Sequence, residues 1–221
     1  MDFFPFGPEV YFRLFVRQNE AIWPAHILAI LLGIAVIALA WRGRGRWVGL
    51  ILGASWAFVG YTFHLELYAN LNWAAEHFGW AFIAQGALLA GAGVLGRLDC
   101  APDSDADSDR KQDLDGAGWL GLGLAVFALA IFPLLGPLLG REWTGVEVFG
   151  VAPDPTVIAT LGLLLTARRP QWLLLVVPLL WCVVSGASAL AMDASASFAT
   201  PAAGLIALAA TLWRTLRDVL R

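Results

Sequence analysis

Residues 154–172 read "DPTVIATLGLLLTARRPQW", and whether this stretch crosses a membrane decides the architecture. Asp154 reads as a helix N-cap and Pro155 as the first helical position. The helical run from Thr156 to Arg168 would be roughly 20 Å long, at 1.5 Å per residue, against about 30 Å of hydrocarbon. Counted as a span, it makes the chain an all-α integral membrane bundle of seven transmembrane helices. Left out, it makes six.

The rest of the chain favours a membrane setting. Of its 221 residues, 59% are hydrophobic and only 14% charged, with a mean hydropathy of +0.72. A soluble domain carries roughly 25% charged residues, and a bilayer solvates apolar side chains that water does not. Eleven tryptophans suit the membrane–water interface, where an indole is half apolar and half polar. The opening "MDFFPFGPEVYFRLF" has an acidic start and two early prolines, so it is not expected to be a secretory signal. Cys100 and Cys182 form no CxxC pair and are expected to be free thiols.

Candidate spans are 22–41, 47–65, 76–96, 118–139, 154–168, 171–190 and 199–215. With seven, 11 of the 14 basic residues fall on one side, in "RGRGR" (42–46), after the third span, at Arg168 and Arg169, and in the C-terminal tail. Six spans break this alternation. Basic residues collect in cytoplasmic loops, so the expectation is a multi-pass protein of the bacterial inner membrane, N-terminus outside and C-terminus cytoplasmic. The chain is read as a single membrane domain over 1–221. Residues 8–20, with Glu9, Arg13, Arg17 and Glu20 in one polar stripe, are expected to form an outer interfacial helix. The acidic segment 97–117 holds seven aspartates but lacks the Gly and Glu of a calcium loop, and is expected to be a disordered cytoplasmic linker.

On that topology the scarce polar side chains gather on the outer face. "YTFHLELYANLNWAAEHFGW" (61–80) carries His64, Glu66, Asn70, Asn72, Glu76 and His77, and His26 sits near the outer end of the first span. The loop 140–156 adds Arg141, Glu142, Glu147 and Asp154, and the last outer loop adds Met192 and Asp193. Either the short helix at Asp154 begins below the outer surface, so that "EVFGVAP" dips to membrane depth, where irregular backbone survives only inside protein or beside a wet cavity, or the bilayer is locally thin and the segment is an ordinary interfacial loop. Arg141 with Glu142 or Glu147 reads as a solvated pair. Gln85, near the middle of the third span, reads as a helix–helix contact. Gly49 and Gly53 form a GxxxG, and Gly86, Ala90 and Val94 share one face; both read as close helix contacts.

Four stretches carry a family likeness: "YFRLFVRQNEAIWPAH" (11–26), "FHLELYANLNWAA" (63–75), "VEVFGVAPDPTVIATLGLLL" (146–165) and "LLWCVVSGASALAM" (179–192). Through them nearly the whole chain resembles a bacterial family of small polytopic membrane proteins, domain of unknown function family 6064, some of whose members are labelled permeases. The resemblance places the family histidine at His64 and the "AP-x-PT" turn around Asp154. Some relatives carry Cys at Asp154 and Asn-Pro at Asn72–Trp73, which argues against a fixed metal-ligand role for Asp154. The resemblance supplies no catalytic residues.

Three functions follow. The leading one is permease-like handling of a small solute or ion through an outer vestibule between loops 65–76 and 141–155, with His26, His64, Glu66, Gln85 and Asp154 as lining candidates. The second is an accessory or assembly subunit of a larger membrane complex. The third is an outer-face metal or haem site for redox or hydrolytic chemistry, with His26, His64 and His77 as ligands; no HxxxH or HExxH spacing supports it. No motif requires a cofactor. The absence of a Walker or GxSxG sequence makes an enzyme the less favoured class. The expected partners are the bilayer and a homo-oligomer or larger membrane complex, with no nucleic acid.

Overall fold

A computed structural model describes residues 7–98, 114–191 and 198–220, all of it helices and connecting turns without a strand among the described residues. Helix α1 covers Pro8–Ile22, α2 Ala25–Trp41, α3 Gly45–Val59, α4 Ala75–Val94, α5 Gly116–Val126, α6 Phe132–Leu138, α7 Pro153–Thr166, α8 Trp172–Ala191 and α9 Ala199–Val219. Two π turns prolong helices: Gly60–Leu65 continues α3, and Phe127–Ile131 joins α5 to α6. Pro133 cannot donate into the ladder behind it, and the second π turn takes up the resulting shift.

Four helical segments are long and apolar enough to cross a membrane: Gly45–Asn70, Ala75–Val94, Gly116–Leu138 and Trp172–Ala191. A fifth is reached if α1 and α2 count as one broken span. That pair is bent by 98°, so α1 does not extend α2 but turns across it. The polar stripe Glu9, Arg13, Arg17 and Glu20 faces out, while Leu14, Phe15 and Gln18 are buried.

Two sets of glycines set the packing. A methyl group on Gly53 would lie 2.6 Å from the Gly86 carbonyl oxygen, and one on Gly49 would lie 2.5 Å from that of Leu89. Helices α3 and α4 therefore touch backbone to backbone, antiparallel, as small-residue faces allow. The expected face needs one change: Gly93 meets Gly49, whereas Val94 points away and is exposed. Gly121 of α5 and Gly162 of α7 make a second such contact.

Helix α7 is the axis of the molecule. It packs against α2, α3, α5, α8 and α9, and every residue from Glu147 to Ala167 is buried. Protein surrounds this short helix along its whole length. Its start differs from the expected one: Ala152 is the N-cap and Pro153 opens the helix, so the Asp154 side chain does not cap its own helix and is free to face α8.

The two ends of the bundle differ. At the basic end, Arg214 of α9 donates from Nη1 to the carbonyls of Leu165 (2.6 Å) and Ala167 (3.0 Å), closing the C-terminus of α7. The same guanidinium pairs with Asp115, which caps α5 by accepting from the Gly118 N–H at 2.9 Å. Burial opposes ionisation of Asp115, but hydrogen bonds from Arg214 and Gly118 and the charges of Arg214 and Arg217 outweigh it and hold the carboxyl below its ordinary range. Arg214 is thus a buried capping residue, not a tail cation, and 114–117 is a structured helix start rather than linker. Most of the acidic segment, Cys100, Arg110 and Lys111 included, lies outside the described residues, as do Met192 and Asp193.

Candidate functional site

At the other end, α1 lies over the loop that feeds α7 and is stitched to it by consecutive side chains. Gln18 Nε2 donates to the Val151 carbonyl at 3.0 Å and to Thr62 Oγ1 at 3.2 Å. Asn19 Nδ2 donates to the carbonyls of Thr144 (2.8 Å) and Val146 (2.9 Å). Within the loop, Gly150 adopts a φ of 75° that a β-carbon would disfavour. Its N–H reaches Thr156 Oγ1 at 2.8 Å. Irregular backbone that is otherwise unpaired is thereby satisfied by protein, which is what buried loops require.

The loop places Glu147 and Asp154 at one buried chamber, together with Tyr11, Tyr68, Trp181 and Ser185. Asp154 accepts from Trp181 Nε1 at 2.7 Å and from Ser185 Oγ at 2.9 Å. Both partners are neutral. Glu147 Oε1 accepts from Arg141 Nη1 at 2.7 Å, and the Arg141 guanidinium also lies 4.3 Å over the Phe12 ring. The pair is not a solvated one, since only 8% of the Glu147 side chain is exposed. Burial pushes the Glu147 carboxyl up to about 7, against the pull of Arg141 and with the help of the neighbouring Asp154. Burial likewise raises the Tyr11 phenol well above its usual range, and Asp154, Tyr68 and Glu147 add to the shift.

Outside the chamber an open cavity of about 440 Å³ lies between α1 and residues 140–145. Phe12 lines both spaces. Arg141, which lines the cavity and holds Glu147, therefore stands with Phe12 at the boundary between them. Gly136 makes room for Arg141: a β-carbon there would sit 2.7 Å from its Nε.

The expected lining residues fare differently. Asp154 lines the chamber. His64 is buried beside it in an aromatic box, its ring 4.6 Å from that of Phe82 and 4.9 Å from that of Trp181, with no hydrogen-bond partner for either nitrogen. Glu66 is exposed two residues on and does not reach the chamber. His26 Nε2 pairs with Asn19 Oδ1 at 2.9 Å and holds the α1–α2 corner. Gln85 donates to the Leu174 carbonyl at 2.7 Å, tying α4 to the basic end of α8. The open cavity is lined by α1 and residues 140–145, and residues 65–76 contribute Tyr68 to the chamber behind it.

The histidine ligand set does not assemble. His64 is walled by rings, His26 is held by Asn19, and His77 is exposed against Trp73. Among the described residues no group of three or more His, Cys, Asp or Glu is placed to hold a metal ion. Gln18, Tyr11 and Trp181 were not singled out by sequence. The position of Gln18, four residues after Leu14 and three after Phe15 and so on their face of α1, was the available signal for the first.

The family model described as "Family of unknown function (DUF6064)" matches residues 8–221. No curated protein and no solved structure matches the chain. The chain belongs to that family.

Proposed function

We propose, with this family membership as the premise, that the chain is a seven-span protein of the bacterial inner membrane that handles a small solute or ion in a permease-like manner. In this reading α2, α3 with its π turn, α4, α5 with α6, α7, α8 and α9 are the spans. The basic end is cytoplasmic and α1 lies along the outer surface, following the distribution of Arg and Lys. The observation that carries the reading is the short, wholly buried α7, which presents Asp154 to a polar chamber next to an open cavity. Ionisable side chains at membrane depth are costly and mark ion or substrate pathways, and interrupted helices line such sites in transporters.

Reconstitution tests it. Proteoliposomes containing the wild-type chain should change lumenal pH or take up a labelled small solute faster than empty liposomes, and Asp154→Asn should abolish the difference. Equal rates for wild type, variant and empty liposomes across a panel of ions and small metabolites would count against transport and favour an accessory role in a membrane complex.

A further inference from the structure

Among the described residues, two buried carboxylates and one guanidinium meet at the chamber. Arg141 is spent on Glu147. Asp154 receives only neutral donors, Trp181 and Ser185. The Thr200 hydroxyl, fully buried at the start of α9, faces the same carboxylate without completing a hydrogen bond. A second buried carboxylate with no cation is costly. Among the described residues only the Arg141 charge acts on Asp154, without touching it, which leaves room for a positive charge from solution.

Space and polarity decide which charge fits. The chamber holds about 10 Å³, on the order of one water molecule. A hydrated metal ion is excluded. A bare metal cation needs several acceptor oxygens at once, whereas a proton needs one lone pair, and each Asp154 oxygen keeps one beside the indole N–H or hydroxyl it accepts from. Among the described residues, the titratable or charged groups around the chamber are Tyr11 from α1, His64 and Tyr68 beyond α3, Arg141 and Glu147 from the loop, and Cys182 from α8. From α9 only the Thr200 hydroxyl faces it. Arg141 is the one fixed cation among them.

We propose that the Asp154–Glu147 chamber binds a single exchangeable proton, drawn from the outer cavity past Arg141 and Phe12 and held on Asp154. Binding forms one O–H bond and takes the chamber from one net negative charge to none; release reverses this, and no electron moves. Glu147, which titrates near neutrality, relays the proton between cavity and Asp154. The inference deepens the transport reading by naming the ion of that site, and rests on it for its role.

Infrared titration of the full-length protein in liposomes tests it. The wild type should show carboxylic C=O bands that respond to pH, one from Asp154 beside that of Glu147. Asp154→Asn should lose the Asp154 band and keep that of Glu147, which Glu147→Gln removes. Ser185→Ala keeps the carboxyl but removes one donor, so it should shift the Asp154 band frequency; this variant decides if Asp154→Asn does not fold. A spectrum unchanged in both Asp154→Asn and Ser185→Ala overturns the proposal. So does an Asp154 band that vanishes when sodium replaces choline at constant pH, which would assign the site to sodium. Lumenal-pH flux on the same liposomes separates the two readings. A band dependent on Asp154 without flux upholds the proton site and sinks transport, whereas flux without such a band sinks the proton site alone.

Discussion

Trp181 donates its indole N–H to Asp154 over 2.7 Å, and this bond joins the start of the buried helix α7 to the middle of α8. Both residues are buried. The carboxylate is therefore positioned by a rigid aromatic side chain that also touches His64, Phe78 and Phe82. Trp181→Phe preserves most of the ring packing and removes the donor. It should cost about 1–3 kcal/mol, the price of an unsatisfied buried acceptor, and lower the melting temperature in detergent. A melting temperature equal to wild type would show that the bond contributes nothing.

Glycine positions should divide by what a methyl group would meet. Gly53→Ala drives a β-carbon to 2.6 Å from the Gly86 carbonyl and should destabilise by about 1–3 kcal/mol through overpacking. Gly91→Ala, in α4 with open space around it, should be neutral or stabilise by about 0.5–1 kcal/mol from helix propensity. Thermal unfolding of the two variants side by side checks the contrast, and equal behaviour would refute the backbone contact of α3 with α4.

Arg214→Ala should destabilise by about 2–3 kcal/mol, because it uncaps α7 and strands Asp115. This lies below the range for a fully buried pair, since Asp115 keeps 30% of its side-chain surface and solvent screens it. Arg214→Lys should recover only part of the loss, as an ammonium cannot serve a carboxylate and two carbonyls in one plane. Full recovery by lysine would argue that charge alone matters.

Stability should depend on pH through Glu147. Its carboxyl titrates higher in the folded protein than in the unfolded chain. The folded state thus binds its proton more tightly, and the stability this gives is present below the unfolded value and lost as pH rises through about 7. Asp115 acts in the opposite sense: its depressed pKa gives stability that is lost only in acid. Melting temperature should fall between about pH 5 and pH 8, and Glu147→Gln should flatten that slope. A wild-type profile flat over this range would contradict the assignment.

Hydropathy alone located the helices: each of the seven candidate spans corresponds to a helical segment, and the small-residue face at Gly49, Gly53 and Gly86 was visible from spacing. What hydropathy could not say was which helix is central. A bilayer solvates Leu and Val as well as a protein interior does, so α7 reads like its lipid-facing neighbours, and only its length betrays it. The salt bridge was misread for a related reason. Arg141 and Glu147 sit in a polar loop, and sequence does not reveal that α1 folds back over them. The histidines misled in a different way. They lie near one end of the bundle, but helix rotation sends the His64 ring into an aromatic box and leaves His77 exposed.

The central claim is that the acidic chamber opens towards the α1 side through Phe12 and Arg141. With Cys100→Ser as background, Phe12→Cys places a thiol at that boundary. In uniformly oriented proteoliposomes, a bulky membrane-impermeant thiol reagent added on the α1 side should stop the flux that Asp154 supports, and the same reagent confined to the basic side should not. Flux that persists after the Phe12→Cys thiol is fully modified from the α1 side would contradict the account.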